Sequence, residues 1–173
     1  RGKCTMAHHG TPKGCGNQRP GKRECYVADV DLDPVEHNCL RLARTILLFM
    51  GDPSSPLRRV DVQDAAEVFG GPGSKDIITA MTDLFSAIHL IRKSPFIFSN
   101  PHCINCREIL TENERRVMLA LAATRRGKRS AAAAHVMLIC EGNPDVPVHH
   151  DHSRLARILP LPRTEPKGAP VGR

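Results

Sequence analysis

The stretch KDIITAMTDLFSAIHLIRK, residues 75–93, decides the fold of this chain. Its large apolar residues recur at spacings of three and four, which places them on one face of a helix: Ile77, Ile78, Met81, Leu84, Phe85, Ile88 and Ile91. Pro95 follows and stops the helix, because proline lacks the backbone N–H that a helix interior needs. The pattern predicts a long central helix in which Leu84 and Ile88 are both buried.

Two helices are predicted on the N-terminal side of this stretch. Asp33 and Glu36 form a capping box around Pro34, and the helix that they begin ends at Gly51. Apolar residues on one side of residues 60–69 predict a shorter amphipathic piece.

On the C-terminal side, Thr111 and Glu114 form a second capping box, and the helix that follows ends at Gly127. Residues 130–140 predict another helix, and residues 154–159 predict a final short turn. The fold class is therefore predicted to be all-α, a small irregular bundle of four to five helices with disordered ends.

Composition agrees with a helical core and bounds the domain organisation. The chain has 173 residues, of which 40% are hydrophobic and only 3% aromatic, so its core is aliphatic. We expect a disordered or loosely attached basic leader over residues 1–30, a helical core domain over 31–142 and a Pro-rich tail over 143–173. The longest apolar run is ILLFM, which is too short to span a membrane.

Cys103 and Cys106 form a C-x2-C pair, a spacing that lets two sulfurs converge on one metal ion. His135 and Cys140 are the expected further ligands, and together the four residues predict a zinc site. Two alternatives stay open: the cysteines are small buried apolar residues, or they are a thiol redox pair. Seven cysteines without a signal-like stretch favour the cytoplasm and thiols or metal rather than disulfides.

Basic residues cluster where two predicted helices join, and the whole chain carries a net charge of +7. Arg125, Arg126, Lys128 and Arg129 form the cluster, which is a candidate phosphate-gripping nucleic-acid interface. The following segment, AAAAHVMLIC, is too apolar to read bases. An exposed turn with cations near a helix C-terminus is the alternative interpretation.

The middle of the chain resembles small uncharacterised helical CxxC-containing proteins of alphaproteobacteria. The similarity rests on DAAEVFG, the long amphipathic helix, PHCINCREILTENE and AHVMLICEG. It implies a bacterial cytoplasmic setting and no particular activity. The sequence thus favours a non-enzymatic binding or regulatory protein, with an unknown protein partner or self-association and no membrane contact. A nucleic-acid-associated regulator and a thiol redox protein are the second and third hypotheses.

Overall fold

The computed structural model describes residues 7–9, 19–70, 73–143 and 146–160. The described residues form six α-helices: α1 Pro34–Gly51, α2 Pro56–Ala66, α3 Gly73–Ile91, α4 Glu112–Arg125, α5 Arg129–Ile139 and α6 Val146–Ile158. They also form four short strands: β1 Ala7–His9, β2 Cys25–Tyr26, β3 Ile97–Ser99 and β4 Ile109–Leu110. The prediction of a mainly helical bundle is confirmed, with six helices rather than four or five.

Helix α3 lies at the centre of the bundle, as its apolar stripe predicts. It contacts α1, α2 and α6, while α4 contacts α1, α5 and α6. Leu84 and Ile88 are fully buried, and Phe85 packs edge-to-face against Phe96 with the ring centroids 5.5 Å apart. Ile78 and Ile91, at the edges of the predicted stripe, are only partly buried.

Both predicted capping boxes are present, and they set where α1 and α4 begin. Asp33 accepts a hydrogen bond from the Glu36 backbone, and the Glu36 carboxylate accepts one from the Asp33 backbone. Thr111 and Glu114 make the same reciprocal pair at the start of α4. These bonds satisfy backbone donors that the first helical turn leaves without partners.

The segment predicted as a leader supplies two of the four strands. β1 pairs in parallel with β3, and β2 pairs antiparallel with β4, with Cys25 opposite Leu110. Two-residue and three-residue strands carry too little sequence pattern to be detected, and their backbone groups are satisfied only by partners distant in the chain. Residues 10–18 lie outside the described part of the chain.

The segment predicted as a Pro-rich tail contains α6, so the tail prediction is wrong for residues 146–160. Val148, His152, Leu155 and Leu159 are buried from this segment. Their spacing of four, three and four is a helical apolar face, and Pro147 is tolerated because it lies in the first helical turn. Residues 161–173 lie outside the described residues.

Candidate functional site

A cleft of about 530 Å³ opens between α1, α2 and the loop of residues 100–108, which carries both cysteines of the C-x2-C pair. We call this segment the cysteine loop. His37 and Arg41 line the cleft from α1, and Asp61 and Asp64 line it from α2. The cysteine loop and Val27 form the remaining wall. The cleft therefore gathers polar side chains from three parts of the chain that are distant in sequence.

A buried ion pair holds the cysteine loop in place from inside the protein. The Arg44 side chain is 4% exposed and the Glu114 side chain 3% exposed, with Arg44 Nε 2.6 Å from Glu114 Oε1. Arg44 also donates to the backbone carbonyl oxygens of Arg107 and Ile109, at 2.6 and 2.7 Å. Because one carbonyl lies near the C-terminal end of the loop and the other at the start of β4, the guanidinium fixes this end of the loop directly against α1.

The carboxylate of Glu114 completes the network from the other side. It accepts hydrogen bonds from the backbone N–H groups of Ser99 and Thr111, at 3.1 and 2.9 Å. The hydroxyls of these residues donate to the carbonyls of Ile109 and Ile97. A buried charge pair is stable when further hydrogen bonds satisfy its remaining atoms, and that condition is met here.

The charges that line the cleft are mixed, and two of them have no partner among the described residues. His102 Nε2 lies 3.3 Å from Asp61 Oδ2, and Arg107 is paired with its neighbour Glu108. Arg41 and Asp64, on facing helices, make no side-chain hydrogen bond or ion pair to another described residue. Within the part of the chain that the structure describes, the cleft thus presents Arg41 as an unpaired cation and Asp64 as an unpaired anion.

The two cysteines of the loop differ in their access to solvent. Cys106 is buried at 2% exposure, whereas Cys103 is partly exposed. The backbone N–H of Cys106 donates to Cys103 Sγ at 3.3 Å, so the first sulfur lies against the backbone of the second residue. Five cysteines of the described chain, among them this pair, are thiols rather than disulfides.

The other two predicted zinc ligands are not gathered around this pair. His135 lies on α5 and Cys140 directly follows that helix, fully buried in the core. No group of three or more His, Cys, Asp or Glu side chains within the described residues is close enough to hold a metal ion. The predicted four-ligand cluster is therefore absent from the described chain, because helical spacing and core packing direct the four side chains to different places. Zinc binding by Cys103 and Cys106 stays a prediction.

The predicted basic interface is also changed by the tertiary structure. The Arg125 side chain is only 2% exposed and pairs with Asp33 at 2.7 Å and Glu36 at 2.8 Å. Arg126 pairs with the same Glu36 carboxylate at 3.0 Å. Both arginines pair with acids at the start of α1, but only Arg125 is buried, because the Arg126 side chain is 29% exposed. Lys128 and Arg129 are exposed, and Arg126 also retains access to solvent beside its ion pair.

The interaction with Arg125 affects the pKa of Asp33, the residue that caps α1. Burial alone would raise the pKa of Asp33, but the backbone hydrogen bond from Glu36 and the hydrogen bond and charge of Arg125 lower it overall. Arg125 also donates to the carbonyl of Pro160 at 2.7 Å, beyond the end of α6. One side chain thus ties the ends of three helices together.

Comparison of the chain with models of known protein families, with curated proteins and with solved structures finds no match. Among the helices of the described residues, none has both the length and the apolar character needed to cross a membrane. The candidate site therefore rests on its own geometry. Sequence reasoning found the cysteine pair and missed the cleft, because no local pattern connects Arg41, Arg44 and Asp64 with a loop that lies roughly forty to sixty residues further along the chain.

Proposed function

We propose that this protein is a non-enzymatic binding protein with a regulatory role, and that a protein partner occupies the cleft beside the cysteine loop. The observation that carries the proposal is a polar cleft whose loop wall is held by the buried Arg44–Glu114 pair. A wall fixed in advance loses little conformational entropy when a partner binds, which favours affinity.

The chemistry of the cleft supports a polypeptide as the partner. The unpaired Arg41 and Asp64 suit a segment that carries an acidic and a basic side chain, since each would find its complement. Ile104, in the cysteine loop, is 68% exposed and offers an apolar contact on the segment that forms one wall of the cleft. Apolar contacts surrounded by polar groups are typical of protein interfaces.

Site-specific photo-crosslinking tests the proposal on the full chain. A photo-reactive amino acid at His37, in the cleft, is expected to capture a defined protein from an extract of the source cells. The matched control carries the same group at His150, an exposed histidine of α6 outside the cleft. Equal capture at both positions would contradict the assignment of the cleft.

Charge reversal then tests the recognition chemistry with the captured partner in purified form. Arg41→Glu and Asp64→Lys should each weaken binding about tenfold, because each removes an attraction and adds a repulsion. Lys75→Glu, an exposed change outside the cleft, should leave the affinity unchanged. Unchanged affinity in both cleft variants would remove the cleft from the proposal. Capture of a second copy of the chain would identify self-association as the function of the cleft.

We further propose a bacterial cytoplasmic setting, which rests on the cysteine usage and on the resemblance described above. A zinc ion held by Cys103 and Cys106 belongs to the same proposal and would stiffen the loop tip. Elemental analysis of reduced protein without a histidine tag tests it, with about one zinc per chain expected. Metal content far below one ion per chain would contradict the zinc prediction.

A further inference from the structure

Cys103 and Cys106 occupy a single tight turn of the cysteine loop. The backbone N–H of Arg107 donates to the carbonyl of Cys103 at 3.0 Å, which closes the turn over both cysteines. This bond joins residues four positions apart, as in one turn of an α-helix, where Cα atoms three residues apart are separated by about 5 Å. Disulfides span Cα separations of about 4.4–6.8 Å, so the pair is placed for an internal disulfide.

The two sulfurs are also arranged for different roles. Cys103 is partly exposed and receives the N–H of Cys106, and an N–H donor stabilises negative charge on the sulfur that it contacts. Cys106, three residues further along the same turn, is buried. An accessible first sulfur backed by a protected second sulfur matches the sequence of events in thiol–disulfide exchange.

We propose that Cys103 and Cys106 form a reversible dithiol–disulfide site whose oxidant is a low-molecular-weight disulfide of the glutathione class. The Cys103 thiolate attacks one sulfur of the oxidant, the oxidant's S–S bond breaks, and one thiolate leaves with the bonding electrons. Cys106 then loses its proton and attacks Cys103 Sγ, which releases the second small thiolate. The two chain thiols are oxidised to one disulfide, and the oxidant is reduced to two thiols that take up the two protons.

The site is placed to regulate the cleft, and this consequence rests on the proposed function. Both cysteines lie between His102 and Arg107, two residues of the cleft wall. A disulfide draws Cys103 Sγ away from the Cys106 N–H and shifts the turn that carries His102 and its contact with Asp61. The C-terminal end of the loop stays anchored, because Arg44 holds the carbonyls of Arg107 and Ile109. Oxidation therefore changes the loop tip and leaves the bundle intact.

Equilibration of the full reduced chain in mixtures of reduced and oxidised glutathione tests the chemistry without any partner. A metal chelator is present throughout, and samples are acid-quenched, alkylated after unfolding and analysed by peptide mass. We expect the peptide that contains Cys103 and Cys106 to lose two hydrogens as the oxidised fraction rises and to regain them on return to reduced glutathione. Cys39 is the internal control, because it is fully buried and burial raises the pKa of its thiol to about 12.

Two single variants separate the roles of the sulfurs. Cys106→Ser should accumulate a glutathione adduct on Cys103, because nothing resolves the mixed disulfide. Cys103→Ser should slow modification of Cys106 at least about tenfold, because the remaining sulfur is buried. A persistent adduct on Cys103 in the unaltered chain, or oxidation of Cys39 as readily as of the pair, would overturn the proposal.

Hydrogen exchange of the oxidised and reduced chains gives a second readout. Exchange should change at residues 101–108 and stay constant in α3. Neither measurement uses a partner. A negative result for the thiol chemistry therefore does not contradict the cleft proposal, and a negative crosslinking result does not contradict the thiol proposal. Identical exchange in both states would refute the regulatory consequence alone.

Discussion

Single side chains decide where the loops of this protein are fixed, and Arg44 and Glu114 are the main example. A buried ion pair is not by itself evidence of high stability, because both charges lose their hydration. Here each charge also holds backbone groups of the cysteine loop and of β3 and β4. The pair therefore determines the position of the loop as well as its own burial.

Glu114→Ala should lower the free energy of unfolding by about 3–5 kcal/mol, because it leaves the Arg44 guanidinium buried without its carboxylate. Urea denaturation measures the loss. Glu112→Ala is the matched control on the same helix, since Glu112 pairs with Arg116 at a partly exposed position. Its cost should stay below about 1 kcal/mol. Equal costs for the two variants would show that the buried network does not hold the loop.

His152 links stability to pH in the opposite direction from a salt-bridged histidine. It is 1% exposed on α6, and neither ring nitrogen has a hydrogen-bond partner among the described residues. Burial, with a smaller contribution from the charge of His149, lowers its pKa from 6.5 to about 3. The unfolded chain therefore binds a proton at this residue between these two values, while the folded chain does not.

Stability should accordingly fall as the pH drops below 6.5 and continue to fall towards pH 3. The contribution of this residue is at most about 1.4 kcal/mol per pH unit. Denaturation curves between about pH 7 and pH 4 should show a shallower decline for His152→Leu than for the unaltered chain. His150→Gln, at an exposed position of the same helix, should keep the original slope. Identical slopes for His152→Leu and the unaltered chain would contradict the assignment.

At the scale of elements, α3 carries the clearest sequence signal and packs against three other helices. Leu84→Ala should cost about 2–5 kcal/mol, the usual range for truncation of a fully buried leucine. Thr82→Ala, on a half-buried side where the hydroxyl only bonds the Ile78 carbonyl, should change stability by about 0.5 kcal/mol or less. Thermal melts of both variants check this.

The oligomeric state should be measured together with those melts. This measurement distinguishes burial of the stripe in the core from burial at an interface between two copies of the chain. A monomer that melts lower after Leu84→Ala agrees with a core position. A dimer that dissociates without unfolding would instead place the stripe at an interface between copies.

At the scale of the whole molecule, α6 closes the bundle over α3 and α4. Its attachments are the buried Val148 and Leu155, the Arg154–Asp83 ion pair at 2.7 Å and the bond from Arg125 to the Pro160 carbonyl. A helix joined in this way belongs to the folded domain and is not an appendage.

Truncation after Gly142 should therefore prevent cooperative folding, because it exposes the faces of α3 and α4 that α6 covers. Circular dichroism during heating should show no sharp transition. Truncation after Pro160 is the matched control, since it keeps every contact described for α6, and it should melt within a few degrees of the full chain. A cooperative melt of the shorter fragment would restore the view that residues 143–173 are a tail.

The amino-acid sequence by itself determined the local features of this protein. The stripe of α3, the capping boxes at Asp33 and Thr111, and the glycine that ends α4 depend on residues within a turn or two of one another. Such signals depend on helical geometry alone, so they are present before any tertiary contact forms.

Only the tertiary structure decided which distant residues meet. Arg44 pairs with Glu114, seventy positions away, and Arg125 pairs with Glu36, eighty-nine positions away. Arg125 was predicted to contact phosphate, but this pairing makes it a buried contact between two helices. The same folding separates His135 and Cys140 from Cys103 and Cys106 and opens a cleft that no motif marks. Spacing along a chain specifies neighbours within one element, whereas the partner of a buried charge is set by how whole elements pack.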